Sequence, residues 1–333
     1  MFQVEELVQI FDGIKLPRVP VIPFVMQYAA KIAGIHYRDY CTDPEAMAES
    51  QIRCLEAFDY DAVNVSSDAH RLADALGGDL FFPEDGVPVV REPPIKGPKD
   101  LAGLEVPEPR EFPRCVQRIE AIKLIKEYDP RITVIGWIEG ALSDASSVLG
   151  PTNALKAFYT DRGFLEDLFE FSAEFDRRFA GAQVEAGADI IGAGDSLASQ
   201  VSTESFELSV EYTKDIFRTI TVPTLYHVCG DTTHQLSVLR DCEADVVDLD
   251  RELDLRKARR VLGEEKIIRG NVDPVLFVKE SPERIKELST ECIERAGQNG
   301  SFILSAGCEI PPDSRDENVR AMVEVGKSST GYR

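Results

Sequence analysis

Apolar residues along this chain follow two alternating rhythms. Short runs rich in valine and isoleucine, bounded by Pro, Gly or Asp, have the pattern of buried β-strands. Between them lie longer stretches in which apolar positions return every three or four residues, as on one face of a helix. The strand-like runs are 18–25, 61–66, 132–138, 188–194, 222–226, 245–249, 266–270 and 301–306. Helices are predicted from Asp43, which caps a first turn containing Pro44, through Leu55, and over 112–126, 161–186, 202–220, 281–296 and 313–325. Eight alternations of this kind predict a (β/α)8 TIM barrel, a single domain over 1–333. The Pro- and Gly-rich segment 77–110, with a hairpin predicted at Asp85-Gly86, is an insertion after the second strand. An open doubly wound sheet would want a glycine-rich phosphate turn, and Gly192-Ala-Gly194 is followed by Asp195 instead of a third glycine.

In a barrel, reactive groups collect where the strands end. Here those ends carry Asp68, Glu139, Asp195, His227, Cys229, Asp250, Asn271, Asp273 and Cys308. His227 and Cys229 stand two apart in an extended run, so both side chains leave the same face. Gly230 then breaks the strand and Asp231-Thr-Thr reads as a helix cap. Imidazole and thiolate are ligands that zinc prefers, and Cys308 sits at a matching strand end. The expectation is a three-ligand Zn2+ site of His227, Cys229 and Cys308 with an open fourth position. Glu309 is a candidate to fill that position when substrate is absent. Glu139, Asp195 and Asp68 are the candidate catalytic acids, and Asn271 and Asp273 the candidate cofactor contacts. Asp250 and Asp273 read equally well as helix caps. Phe24, Met26 and Tyr28 could line an apolar slot or be plain packing at the mouth. Cys41, Cys54, Cys115, Cys242 and Cys292 have no ligand partner at useful spacing and are assigned to the core.

Composition narrows the partners. The 333 residues include 59 acids against 37 Lys and Arg, a net charge of -22, which a nucleic-acid backbone would repel. Seven cysteines, an odd number over a long chain, do not suggest a disulfide framework. The first residues, Met1-Phe-Gln-Val-Glu-Glu, are acidic where a secretory leader is basic. No apolar run is long enough to span a bilayer. A reducing cytoplasm is the expected location.

Four stretches together resemble the uroporphyrinogen decarboxylase superfamily: Asn271-Val-Asp-Pro274, Ser305–Asp313 with Glu317-Asn318, Gly136-Trp-Ile-Glu-Gly140 and His227-Val-Cys-Gly230. They look more like its zinc-dependent corrinoid methyltransferase branch, which includes methylcobalamin:coenzyme M methyltransferases and the methyltransferases of O-demethylase systems. The resemblance covers nearly the whole chain and is strongest from Trp137 to Met322. It implies a (β/α)8 barrel with zinc on His227, Cys229 and Cys308, and a small O-, N- or S-methyl substrate or thiol. The corrinoid (cobalamin) would be supplied by a corrinoid-binding protein, since the Asp-x-His-x-x-Gly loop of a cobalamin module is absent. The decarboxylase itself uses arginines just after the first strand, where this chain reads Met26-Gln-Tyr-Ala-Ala-Lys31. The aspartate with which it holds pyrrole N–H groups is matched by Asp68, so a tetrapyrrole decarboxylase is the alternative. A non-catalytic barrel serving as a binding partner is the third.

Overall fold

The computed structural model describes residues 1–297 and 299–329. Its strands are β1 (Val63–Val65), β2 (Asp79–Phe81), β3 (Val89–Glu92), β4 (Val134–Glu139), β5 (Ile190–Asp195), β6 (Thr224–Val228), β7 (Val246–Leu249), β8 (Ile267–Val272) and β9 (Phe302–Ala306). Seven of them form one parallel sheet in the order β1-β4-β5-β6-β7-β8-β9, and β2 pairs antiparallel with β3. The seven correspond to the second through eighth expected strands. Every residue in them is buried, as in a parallel sheet covered on both faces. Among the described residues, no helix is long and apolar enough to cross a membrane.

The sheet curls until its two edges meet one segment. Leu304 of β9 donates to the Pro20 carbonyl (2.9 Å) and accepts from Ile22 N (3.0 Å), while Asp61 N, just before β1, donates to the Val21 carbonyl (2.8 Å). The expected first strand, 18–25, therefore makes a single bridge, Val21 to Leu304, in place of a ladder. Pro20 and Pro23 explain this, because neither has an N–H to give. Asp61 fixes the segment instead. Its buried carboxylate takes both arms of Arg18 (2.7 and 2.8 Å) and the N–H groups of Phe2 (2.7 Å) and Val21 (2.8 Å).

The long helices start close to their expected first residues, and capping side chains hold those starts. Asp43 accepts from Glu45 N and Ala46 N ahead of Pro44–Phe58, Asp161 from Phe164 N ahead of Arg162–Glu185, and Ser281 from Arg284 N ahead of Pro282–Ala296. Ser202 caps Thr203–Phe217 in the same way. Pro113–Tyr128 fills the helix expected over 112–126. The last helix, Asp316–Ser328, begins three residues later than expected. Asp231 accepts from Thr233 N but opens only a short turn and the helix Leu236–Arg240. Among the described residues, three helices of eight or more residues have no counterpart in the sequence pattern: Ala141–Leu149, Pro151–Thr160 and Leu255–Leu262. The first two are separated only by Gly150, and the third is short and strongly basic, so none has a long apolar stripe of its own.

Asp61 closes this seam with a buried charge. Asp61→Ala strands Arg18 and two backbone N–H groups, and unfolding in urea is expected to show a loss of about 3 kcal/mol or more. Arg18 is partly exposed and should cost about 1 kcal/mol as Arg18→Ala.

Candidate metal centre

One rung of the sheet organises the site. Across the strands the register runs Glu139, Gly194, His227, Asp248, Arg269, one residue from each of β4 to β8. Residues on a shared rung point to the same face, so these side chains enter the interior together. Arg269 is fully buried and gives Nη1 to Asp248 Oδ2 (2.7 Å) and Nε to the Ile22 carbonyl (3.0 Å). Asp248 Oδ2 in turn lies 2.9 Å from His227 Nδ1.

The other ring nitrogen, Nε2, faces Cys229 Sγ at 3.2 Å. Cys229 follows the last residue of β6, and Cys308 follows β9 by two residues. The ligand atoms of His227, Cys229 and Cys308 all lie within 4.8 Å of one another. His227 is buried while both sulfurs are half-buried, so the cluster is open on one side. A hydrogen bond from the Cys229 thiol, reinforced by the His227 charge and opposed by burial, holds the Cys308 thiol well below its ordinary pKa. The same hydrogen bond and burial push Cys229 up. Burial alone would depress His227, but the charges of Cys229 and Asp248 raise it well above its usual value. A soft two-sulfur, one-nitrogen donor set with its imidazole backed by a carboxylate fits zinc.

Phe24 forms the floor beside this cluster. Its ring stacks 6.4 Å from His227 and lies 4.9 Å from Trp137, which precedes Glu139 by two residues on the same face of β4. Trp137 needs the two glycines of β5: a Cβ on Gly192 would come within 2.4 Å of the indole, and one on Gly194 within 3.1 Å. The expected apolar slot is thus only partly present. Tyr28 turns away to Phe58 (5.7 Å) and donates to Asp316 (2.8 Å).

The remaining strand-end residues divide into distinct groups. Glu139 is buried, with Arg71 Nη2 3.5 Å from its carboxylate. Asp68 is locked: it pairs with Arg114 and Arg71 and accepts from Ser67 Oγ (2.7 Å) and His70 N (3.1 Å). Burial would raise its pKa, but the two guanidiniums hold it well below the carboxylate range. Asp195 faces the helical layer, not His227's rung, accepting from Tyr226 OH and from Ser143 N (2.7 Å) in the first turn of Ala141–Leu149. Asp250 takes Gly230 N (2.6 Å), bracing the loop that carries Cys229, and the next helix is capped by Asp254 instead. Asn271 holds the loop that follows β7, donating to the carbonyls of Asp250 (2.9 Å) and Leu253 (2.8 Å). Asp273 accepts from Val275 N and Arg251 Nη1, both at 2.9 Å. Glu309 accepts from Gln27 N (2.8 Å) at the start of the helix Gln27–Ala33.

Sequence reasoning missed Asp248 and Arg269, together with the buried Arg71, Arg114, Arg118, Asp144 and Asp176. A signal existed for the first two, since each is a charge set inside an apolar strand run. The others lie on helices, where charges ordinarily mark the solvated face.

A curled parallel α/β sheet with its polar groups gathered at the carboxyl edge is the architecture of an enzyme. The chain belongs to the uroporphyrinogen decarboxylase (URO-D) family, whose model matches residues 3–329. It is 26% identical to a methylcobamide:CoM methyltransferase of Methanosarcina barkeri, over 95% of each chain. It is 28% identical to a uroporphyrinogen decarboxylase of Thioalkalivibrio sulfidiphilus, over 86% of this chain and 85% of that one. Among solved structures, a methyltransferase from Methanosarcina mazei superposes with a TM-score of 0.90 at 26% identity, covering 98% of this chain and 99% of that one.

Burial pushes several of these acids up, Asp195 to about 6, Asp144 to about 7, and Glu139 and Glu309 to about 8. The folded chain then binds more protons than the unfolded one, whose carboxyls titrate near about 4. Their contribution is complete below about pH 4 and is lost as pH rises through 6 to 8. Asp68 has the opposite sign, contributing above about pH 4 and losing that contribution in acid. Thermal melts across pH should peak near about pH 5 and decline toward pH 8.5, and Asp195→Asn should flatten that decline.

Proposed function

We propose that the chain is a zinc-dependent methyltransferase, moving a methyl group between a small O-, N- or S-methyl substrate, or a thiol, and the cobalt of a corrinoid held by a partner protein. The observation that carries this reading is the convergence of the His227, Cys229 and Cys308 ligand atoms within 4.8 Å. Zinc in such a set binds a soft thiol as its thiolate, or polarises the heteroatom of a methyl ether, amine or thioether. Similarity to the two Methanosarcina methyltransferases over nearly the full length of each chain supports the reaction class.

In this reading the 20–22 segment serves as the eighth stave of a closed (β/α)8 barrel, whose mouth admits the partner's corrinoid. Asp248 keeps the proton on His227 Nδ1, leaving the Nε2 lone pair for the metal, and Arg269 fixes Asp248 in place. Phe24 and Trp137 keep water from the floor. Glu139, pushed up to about 8 by burial, holds a proton beside Arg71 and gives it to the heteroatom that loses a methyl group. Asp68 remains ionised and orients Arg71.

The decarboxylase alternative draws on relatives named uroporphyrinogen decarboxylase. Against it stand two observations. The oxygens of Asp68 are already taken by Arg114, Ser67 and the His70 N–H, which leaves little for pyrrole N–H groups. The 26–31 segment also has no arginine.

Purified protein should bind one zinc per chain, and Cys308→Ser should lose it. Asp248→Ala should weaken zinc by about 10- to 100-fold in chelator competition. Methyl transfer from free methylcobalamin to a panel of thiols, followed by the visible spectrum of the cobalamin, should proceed with wild type and stop with His227→Ala. The decarboxylase reading expects the reverse: no zinc, and turnover of a porphyrinogen that survives loss of all three ligands.

A further inference from the structure

The two sulfurs of the metal centre follow strands that are not neighbours, since β7 and β8 lie between β6 and β9. Their Sγ atoms nevertheless lie within 4.8 Å of each other. One turn, residues 250–253 after β7, stands between the two loops that carry them. On one side Asp250 Oδ2 accepts from Gly230 N at 2.6 Å, and that N–H belongs to the peptide that leaves Cys229. On the other side Gly307, the residue before Cys308, lies flat against the turn. A Cβ on Gly307 would come within 2.3 Å of Arg251 N and 3.0 Å of the Asp250 carbonyl carbon.

The turn is fixed from within and from β8. Asp250 Oδ1 accepts from Arg251 N (2.6 Å), and Leu253 N donates to the Asp250 carbonyl (3.2 Å). Asn271, in β8, spends its amide N–H groups on the carbonyls of Asp250 (2.9 Å) and Leu253 (2.8 Å). Arg251 Nη1 reaches Asp273 Oδ1 (2.9 Å), just past the end of β8. An aspartate after a strand ordinarily caps the next helix. Here Asp254 does that, accepting from Lys257 N at 2.7 Å, and Asp250 is left to grip the Cys229 loop.

We propose that this turn sets the spacing between Cys229 and Cys308, with Asp250 and Gly307 as positioning residues and Asn271 as the anchor of the turn. The proposal rests on the methyl-transfer reading, in which both sulfurs bind zinc, and names what spaces them. Asp250 holds one sulfur-bearing peptide against the turn by a hydrogen bond. Gly307 lets the other approach until backbone meets backbone. Neither residue supplies a ligand atom; both act through the cysteine beside the contact. Metal donor sets lose affinity when a supporting contact lets a ligand drift by about 1 Å, so the spacing is the quantity to measure.

Phenylarsine oxide reads that spacing without zinc or turnover. It condenses with two adjacent thiols, forming two As–S bonds and releasing its oxygen with both thiol protons as water. The other five cysteines are buried. Metal-free wild type is expected to take up one equivalent, and Cys308→Ser none. Asp250→Ala and Gly307→Ala should each weaken the arsenical, in competition with ethanedithiol, and zinc, in competition with a chelator, by about 10-fold or more. His227→Ala should weaken zinc alone. Asp250→Asn keeps an oxygen for the Gly230 N–H and should restore most of the arsenical affinity lost in Asp250→Ala. A merely structural turn would lower the melting temperature and leave arsenical binding unchanged. Folded Asp250→Ala and Gly307→Ala proteins that bind it like wild type overturn the proposal. So does an equal loss in Asp250→Asn, which assigns the effect to charge. Wild type that takes up no arsenical overturns it whichever variants fold. Arsenical binding that follows this pattern in a chain without affinity for zinc would keep the spacer and sink the methyltransferase reading instead.

Discussion

Arg269 sets the terms for everything around it. A guanidinium with no exposure survives in the interior only where an anion and carbonyl oxygens meet it, and Asp248 and the Ile22 carbonyl do so. The same oxygen of Asp248 that takes Arg269 also lies 2.9 Å from His227 Nδ1, its neighbour on the rung. With Nδ1 beside this carboxylate, Nε2 faces Cys229 Sγ at 3.2 Å, on the side of the ring where the sulfurs gather. The contact to Ile22 adds a second consequence. The chain of charges that orients the imidazole also holds the segment on which the curled sheet meets itself, so seam and site stand or fall together.

Across the interior the electrostatics change sign. On one side a cation–anion–imidazole row ends in thiols; on the other, buried acids outnumber buried arginines, and burial pushes Glu139, Asp144 and Asp195 up. Phe24 and Trp137 separate the two, and they fit because β5 offers glycine at the two positions where the indole lies. A soft-ligand pole and an acid-rich pole are thereby held about two strand spacings apart, roughly 10 Å. That separation suits chemistry in which one end of a small substrate is bound through sulfur or another heteroatom and a proton is managed nearby.

Much of this was legible in the sequence, for identifiable reasons. Strand runs buried on both faces announce themselves by unbroken apolar character, and the caps Asp43 and Ser202 mark their helices. The i, i+2 spacing of His227 and Cys229 and the glycine break before Cys308 pointed to a shared location that the register then delivers. What was hidden depends on partners far away in the chain. Asp195 looks like a mouth acid by its place at a strand end, yet its carboxylate faces Ser143 and Tyr226 on the outer layer. Arg114 and Arg118 look like the solvated face of a helix and are instead buried. Gly192 and Gly194 resembled part of a phosphate turn, but their function is to make room for an indole 55 residues earlier. The expected first strand, 18–25, forms no ladder, since its prolines reduce it to the single bridge from Val21 to Leu304.

Family membership alone does not choose between the chemistries named among the relatives; the proposed methyl transfer rests on the His227, Cys229 and Cys308 cluster. X-ray absorption at the zinc edge tests that cluster most directly. The account predicts two sulfurs at about 2.3 Å, one imidazole nitrogen at about 2.0–2.1 Å and a further light atom or added thiol in the fourth position. A zinc shell of oxygen and nitrogen without sulfur, or protein that takes up no zinc at all, would contradict it.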